Sequence, residues 1–277
     1  MRGKTVNDLL MDPLSPLIER LHAHGRLRVW SLVITVFGDS VQHRGGQIAT
    51  VRLGRLLGRL GIETGAVRTA LSRLSRDGWV ISERQGRTSA YRLTPLGMER
   101  FTPATQRIYA APRRDPVSVW TFASGPQAQG IAIAGGRIGP AGSVPDSGFS
   151  INGTLSAEAR AAVAAALPDE HLAALRGLAT DLFALEELGR TDALTAAAAR
   201  TLLIHRWRRL VLRWPEVPAD VMPADFAPRD LHGAVAALYH RLSPRSEAWL
   251  DSAEPDMAPM PPADARFALR FGGRQEP

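Results

Sequence analysis

Glycines at positions 61, 78 and 86 cut residues 50–93 into segments of different period, and this punctuation constrains the fold more than any other feature of the chain. Over residues 50–60, Leu53, Leu56, Leu57 and Leu60 recur at spacings of three and four, which predicts a helix with one buried face. Gly61 closes that helix in the left-handed conformation glycine tolerates best. In the Ile62-Glu63-Thr64 link, either Glu63 or Thr64 is placed to cap the next helix, and threonine is the better cap. That next helix, over residues 65–77, carries Ala66, Val67, Ala70, Leu71 and Leu74 on a face expected to pack on the preceding helix. Arg68, Thr69, Ser72, Arg73 and Arg76 lie on the other. Gly78 stops it. Residues 79–83 and 89–93 read as strands joined by Arg84-Gln85-Gly86-Arg87, a hairpin with a basic tip. Thr94-Pro95 then opens a helix running to about 109, with threonine as cap and proline in the first turn.

Upstream, residues 27–37 predict a buried helix ending at Gly38, and residues 42–47 have the composition of a turn. A solvated arginine face or a basic hairpin tip is individually ordinary. Helix, glycine turn, Arg/Thr helix, basic hairpin and exit helix, in that order, form the layout of a winged helix-turn-helix. Charge supports the reading. Residues 1–114 carry 19 Lys+Arg against 8 Asp+Glu, or +11, whereas residues 115–277 carry 15 against 19, or −4. An Arg-rich composition alone would raise charge throughout, so the asymmetry points to a first domain that faces phosphate. On this reading Thr64, Arg68, Thr69, Ser72, Arg73 and Arg76 face a double-stranded DNA operator, with arginine suited to guanine and the threonine methyl to thymine. Arg84, Gln85 and Arg87 form a wing on the sugar-phosphate backbone.

Several classes are excluded. There are no cysteines, which removes disulfides, thiolate nucleophiles, iron–sulfur clusters and zinc fingers. No run approaches the roughly 20 apolar residues of a membrane span, and residues 1–14 lack the pattern of a secretory signal, so a cytoplasmic protein without a membrane partner is expected. The seven histidines are scattered, and His22 and His24 would point to different helix faces, so neither a metal site nor a cofactor is expected. The best sign of an enzyme is Gly135-Gly136-Arg137-Ile138-Gly139-Pro140-Ala141-Gly142. Its glycines have the wrong spacing for a dinucleotide fingerprint, and a glycine-rich surface loop is the better reading.

Residues 31–39 (SLVITVFGD) with Arg44-Gly45-Gly46, residues 61–80 (GIETGAVRTALSRLSRDGWV), residues 86–97 (GRTSAYRLTPLG) and Arg107-Ile108-Tyr109 resemble the PaaX family of phenylacetic acid degradation repressors. A second block, residues 203–212 (LIHRWRRLVL) and 218–251 including Pro223-Ala224-Asp225 and Ser246-Glu247-Ala248-Trp249-Leu250-Asp251, agrees as well. The resemblance implies a dimeric repressor of α+β class, mainly helical: an N-terminal winged helix-turn-helix, a small central ferredoxin-like α/β domain and a C-terminal helical domain. It further implies release from DNA by an aryl-acyl-CoA such as phenylacetyl-CoA. The expected limits are an extension over 1–26, the DNA-binding domain over 27–110, the central domain over 117–168, the helical domain over 169–251 and a flexible tail over 252–277. Within the centre, residues 117–122 with Trp120 and residues 131–134 suggest strands, residues 125–149 are rich in glycine, proline and serine, and residues 156–167 suggest an alanine-rich helix.

In residues 202–214, Leu203, Trp207, Leu210 and Trp214 share one helical face, and His205, Arg206, Arg209 and Arg213 form a basic stripe beside it. Two readings stand. The stripe receives the phosphates or carbonyl of an acyl-CoA effector, or it is the solvated side of a packed helix, its arginines paired with Glu186, Glu187 or Asp225. A nucleic-acid-binding adaptor without an effector is the alternative for the whole chain. The length beyond residue 114 favours a sensor, and the helical C-terminal region is the expected homodimer surface.

Overall fold

The computed structural model describes residues 12–23, 28–85, 88–125, 130–144 and 148–273. They form an α+β, mainly helical protein with two small antiparallel sheets. The chain divides into two compact units. The first joins residues 1–111 to 181–206 and 236–277, and the second joins 112–180 to 207–235. The sequential domains expected from the sequence are therefore interleaved, with the later helices shared between units.

The first unit begins with α1 (Ser15–Ala23) and α2 (Val29–Val36). The chain does not break at Gly38. It continues as a π-helical turn, Phe37–Val41, with all five residues buried. Gly38 serves close packing here, because a Cβ at that position would lie 2.6 Å from the Phe101 ring. After the turn, β1 (Gln47–Ala49), a strand the sequence did not signal, leads into α3 (Thr50–Arg59). Gly61, at φ +75°, turns the chain into α4 (Thr64–Arg76). Neither cap candidate closes α4 with its side chain: Glu63 occupies the cap position without a side-chain bond, and Thr64 is the first helical residue.

β2 (Val80–Gln85) and β3 (Thr88–Leu93) form the expected hairpin, in register from Val80 opposite Leu93 to Gln85 opposite Thr88. β1 adds to the far side of β3, giving the order β1-β3-β2. α5 (Pro95–Ile108) follows as predicted, with Thr94 Oγ1 accepting from the Gly97 N–H at 2.9 Å.

The second unit contains an antiparallel sheet of β4 (Trp120–Ser124), β5 (Ile131–Ile133), β6 (Gly136–Pro140) and β7 (Phe149–Gly153), in the order β5-β6-β4-β7. All four strands precede α6 (Ala157–Ala165), which Ser156 caps through a bond from Ala159 N–H. The ferredoxin-like arrangement implied by the resemblance alternates strands and helices; this connectivity does not. The glycine-rich stretch read as a surface loop supplies β6, an inner strand, where glycine permits close approach: a Cβ at Gly136 would lie 2.5 Å from the Ala123 carbonyl oxygen. Trp120, Ile131, Ile138, Val163, Leu167 and Val221 make this unit's core.

α7 (Asp169–Glu186), α8 (Ala193–Arg213) and α9 (Leu231–Asp251) contribute to both units, and α10 (Ala265–Ala268) lies in the C-terminal segment. Residues 252–273, expected to be a flexible tail, are instead built into the first unit. Met257, Met260, Arg270 and Phe271 are buried there, and Phe271 N–H donates to the Tyr109 carbonyl at 2.9 Å. The composition signalled disorder; charges and carbonyls of the tail that match arginines some 200 residues earlier decide otherwise.

Candidate nucleic-acid interface

α4 has one buried and one exposed side. Val67, Ala70, Leu71 and Leu74 are buried, with Ala66 half-buried at the margin, and the helix packs against α2 and β2 as well as α3. Thr64, Arg68, Thr69, Ser72, Arg73 and Arg76 are all exposed. Thr69 Oγ1 donates to the Gly65 carbonyl at 3.0 Å. Arg73 lies 3.5 Å from Asp77 and 5.7 Å over the Trp30 ring, an exposed arrangement of small energetic weight. Arg68 and Arg76 have no ion pair among the described residues. Arg84 is exposed at the end of β2, opposite Ser89. Gln85 closes that strand, and Arg87 lies outside the described residues.

The arginines of α3 behave differently. Arg52, 1% exposed, donates to the carbonyls of Trp249 (2.6 Å), Ser252 (2.7 Å) and Ala258 (2.9 Å), so it satisfies acceptors around the C-terminus of α9. Arg55 pairs with Glu254 and Asp256, and Arg59 makes a fork with Asp12 at 2.7 and 2.9 Å. The arginines of α3 are thus engaged within the protein, whereas those of α4 are left exposed.

Behind this surface lies a charged cluster that the sequence reading did not identify. Asp39 and Arg200, both 0% exposed, meet with Nε to Oδ2 at 2.9 Å. Arg270 donates to the carbonyls of Gly38 and Asp39, each at 2.8 Å, and to the Tyr239 hydroxyl at 2.6 Å. Tyr109 donates its hydroxyl to Asp39 at 3.1 Å. Arg200 also pairs with Glu247 at 2.6 Å, which accepts from Arg44 at 2.7 Å. Burial opposes the charge on Arg200, and the facing Asp39, Tyr239 and Glu247 outweigh it, holding the guanidinium pKa above its ordinary value. Burial likewise opposes the Glu247 carboxylate, but His43 and Arg200 hold its pKa well below the usual range. The available signal was the placement of Asp39 directly after the apolar run 32–38: an acid in a buried segment requires a partner.

The residues read as an effector stripe do not form one continuous surface. His205 is buried, its Nδ1 2.9 Å from Thr35 Oγ1, and Arg206 is paired with Asp181 at 2.6 Å in the first unit. Arg209 and Arg213 are exposed in the second unit, where Arg213 pairs with Glu170 at 2.5 Å and lies 4.8 Å over Trp214. Arg206 and Arg213 thus pair with Asp181 and Glu170, not with the Glu186, Glu187 or Asp225 considered from sequence.

Residues 28–97 match the family described as PaaX-like protein, and residues 165–252 match the PaaX-like protein C-terminal domain. The chain belongs to the PaaX family. The first match runs from the start of α2 into α5, and therefore contains all of α4 and the hairpin. Across its length this PaaX-family chain is 28% identical over 283 residues to the transcriptional repressor PaaX of Escherichia coli strain K12, covering 88% of this chain and 90% of the relative. Among solved structures, an uncharacterized protein of Mycobacterium tuberculosis matches with a TM-score of 0.46 at 18% identity, covering 79% of this chain and 97% of that one. Among the described residues, no helix is long and apolar enough to cross a membrane.

Proposed function

We propose that this chain is a DNA-binding transcriptional repressor of winged helix-turn-helix type, with α3 and α4 as the helix-turn-helix and β2–β3 as the wing. One observation carries the reading: in a chain whose full-length relative is a transcriptional repressor, α4 buries its aliphatic side and exposes Thr64, Arg68, Thr69, Ser72, Arg73 and Arg76 together. Arginine and threonine on a helix that fits the major groove can read guanine and thymine edges, and Arg84, Gln85 and Arg87 of the wing supply sequence-independent contacts with phosphate. The exposed Arg73–Asp77 pair gives way to a denser negative surface at little cost. A homodimer on an inverted repeat provides enough base pairs for selective binding.

The effector that family resemblance implies is an aryl-acyl-CoA such as phenylacetyl-CoA. Of the four residues read as its contacts, Arg209 and Arg213 are exposed to meet its phosphates, whereas His205 and Arg206 serve packing and the Asp181 pair. Footprinting on the promoter upstream of the chain's own gene tests the function. Protection of two half-sites about one helical turn apart, relieved by phenylacetyl-CoA, is expected. Absence of protection at low ionic strength would contradict DNA binding.

A further inference from the structure

The three arginines on the exposed face of α4 are not equivalent. Arg68 and Arg76 have neither an ion pair nor a ring contact among the described residues. Arg73 has both: its Cζ lies 5.7 Å over the Trp30 ring, and its Nε lies 3.5 Å from Asp77 Oδ2. Trp30 is the second residue of α2, the helix that packs on α4, and it is half-buried, whereas residues 32–36 behind it are buried. An indole is thus left at the surface of the first unit with one arginine of α4 stacked upon it.

The geometry of the guanidinium decides what the ring does. The group is planar and carries its five N–H donors in that plane, so an aromatic face engages it without using any of them. Asp77 accepts from the Nε–H, and Nη1 and Nη2 donate to nothing among the described residues. These two terminal nitrogens can meet the O6 and N7 acceptors of one guanine together. DNA competes with the Asp77 contact, which is long and exposed, but not with the ring. Stacking therefore restricts Arg73 both before and during DNA binding. Arg68 and Arg76 are ordered only on the duplex, whereas part of that entropic cost is already met in Arg73.

Resting on the DNA-binding reading, we propose that Trp30 is a positioning residue for base recognition: its ring presents the Nη1 and Nη2 donors of Arg73 to a guanine edge in the major groove. Trp30 contacts no base in this role and acts through Arg73. Because the contact it supports is with a base, removing the ring costs selectivity rather than general affinity for duplex DNA.

Fluorescence anisotropy with the full chain, on the footprinted promoter segment and on a random duplex of equal length, tests the proposal through a double-mutant cycle of Trp30→Leu and Arg73→Ala. Leucine keeps an apolar side chain on α2 and removes the ring. The expected result is about two- to fivefold weaker binding of the promoter segment by Trp30→Leu, the size of an exposed arginine–ring contact, with affinity for the random duplex unchanged. In the Arg73→Ala background the same substitution should leave promoter affinity unchanged, since the residue it acts through is gone. Trp30→Phe, which keeps a ring, should bind the promoter segment closer to the wild type than Trp30→Leu does. Melting temperatures check that each variant is folded, and Trp30→Met takes the place of Trp30→Leu if leucine unfolds the chain. Unchanged promoter affinity in the ringless variant, equal losses on both duplexes, an undiminished effect in Arg73→Ala, or no recovery in Trp30→Phe would overturn the proposal and leave DNA binding in place. A wild-type chain that binds neither duplex at low ionic strength would refute the DNA-binding reading, and the positioning role with it.

Discussion

Arg200 and Asp39 lie 161 residues apart in sequence and form an ion pair at 2.9 Å with neither side chain accessible to solvent. The pair fixes the π turn that follows α2 to α8, so the N-terminal segment is completed by a residue from the later part of the chain. Removing one member leaves the other charged and buried. Arg200→Ala or Asp39→Asn is expected to destabilise the first unit by about 3–5 kcal/mol, and Arg200→Met combined with Asp39→Asn by less than the sum of the single changes. Urea denaturation followed by Trp30 and Trp79 fluorescence measures this. Single-variant losses below about 1 kcal/mol would contradict the role given to the pair.

Truncation after Asp251 tests the C-terminal segment. It removes Arg270 from Asp39, the Ser252 and Ala258 carbonyls from Arg52, and Glu254 and Asp256 from Arg55. The thermal midpoint should drop by several degrees or more, since each lost kcal/mol is worth about 2–4 °C in a chain of this size. A midpoint equal to that of the intact chain would restore the reading of this segment as a flexible tail.

The second unit contains an acid-sensitive contact. His171 is buried, stacks on Trp214 at 4.8 Å, and has its pKa pulled by burial from 6.5 to about 4. The unfolded chain therefore takes up a proton before the folded one, and stability falls as pH drops from 6.5 towards 4, levelling below that. His171→Phe keeps the stacking and removes the titration. Its thermal midpoint should fall less between pH 7 and pH 5 than that of the wild type. Parallel losses in the two proteins would exclude His171 as a source of the acid sensitivity.

The β2–β3 hairpin, proposed as a wing, carries a separate prediction. Arg84→Ala should weaken binding to operator and random duplex alike and reduce the slope of log affinity against log salt by about 1, the signature of one lost phosphate contact. Titration at several salt concentrations gives the slope, and an unchanged value would remove Arg84 from the interface.

What the sequence disclosed depended on how locally each feature is encoded. Gly61, the leucines of α3, the hairpin and Thr94-Pro95 are set by interactions within a few residues, and the structure has these elements at nearly the predicted limits. β1 is only three residues long and exists because β3 pairs with it, so no local period announces it. β6 was hidden because the same glycines that resemble a loop allow close approach to β4. Long-range pairing explains the remaining differences. His205 has the look of a basic surface residue in sequence and is a buried partner of Thr35, and residues 252–273 resemble a disordered segment until Arg44, Arg52 and Arg55 are placed beside them. The exposed face of α4 was legible because a 3.6-residue period sorts its apolar and polar positions without reference to any other part of the chain.

The central claim is that this face reads base edges. Affinities of the wild type, Arg68→Ala and Arg73→Ala for the footprinted promoter segment and for a random duplex of equal length, at one salt concentration, test it most directly. A loss of about 1–3 kcal/mol on the promoter segment, with a clearly smaller loss on random DNA, is the predicted result. Equal losses on both duplexes would contradict base reading by α4.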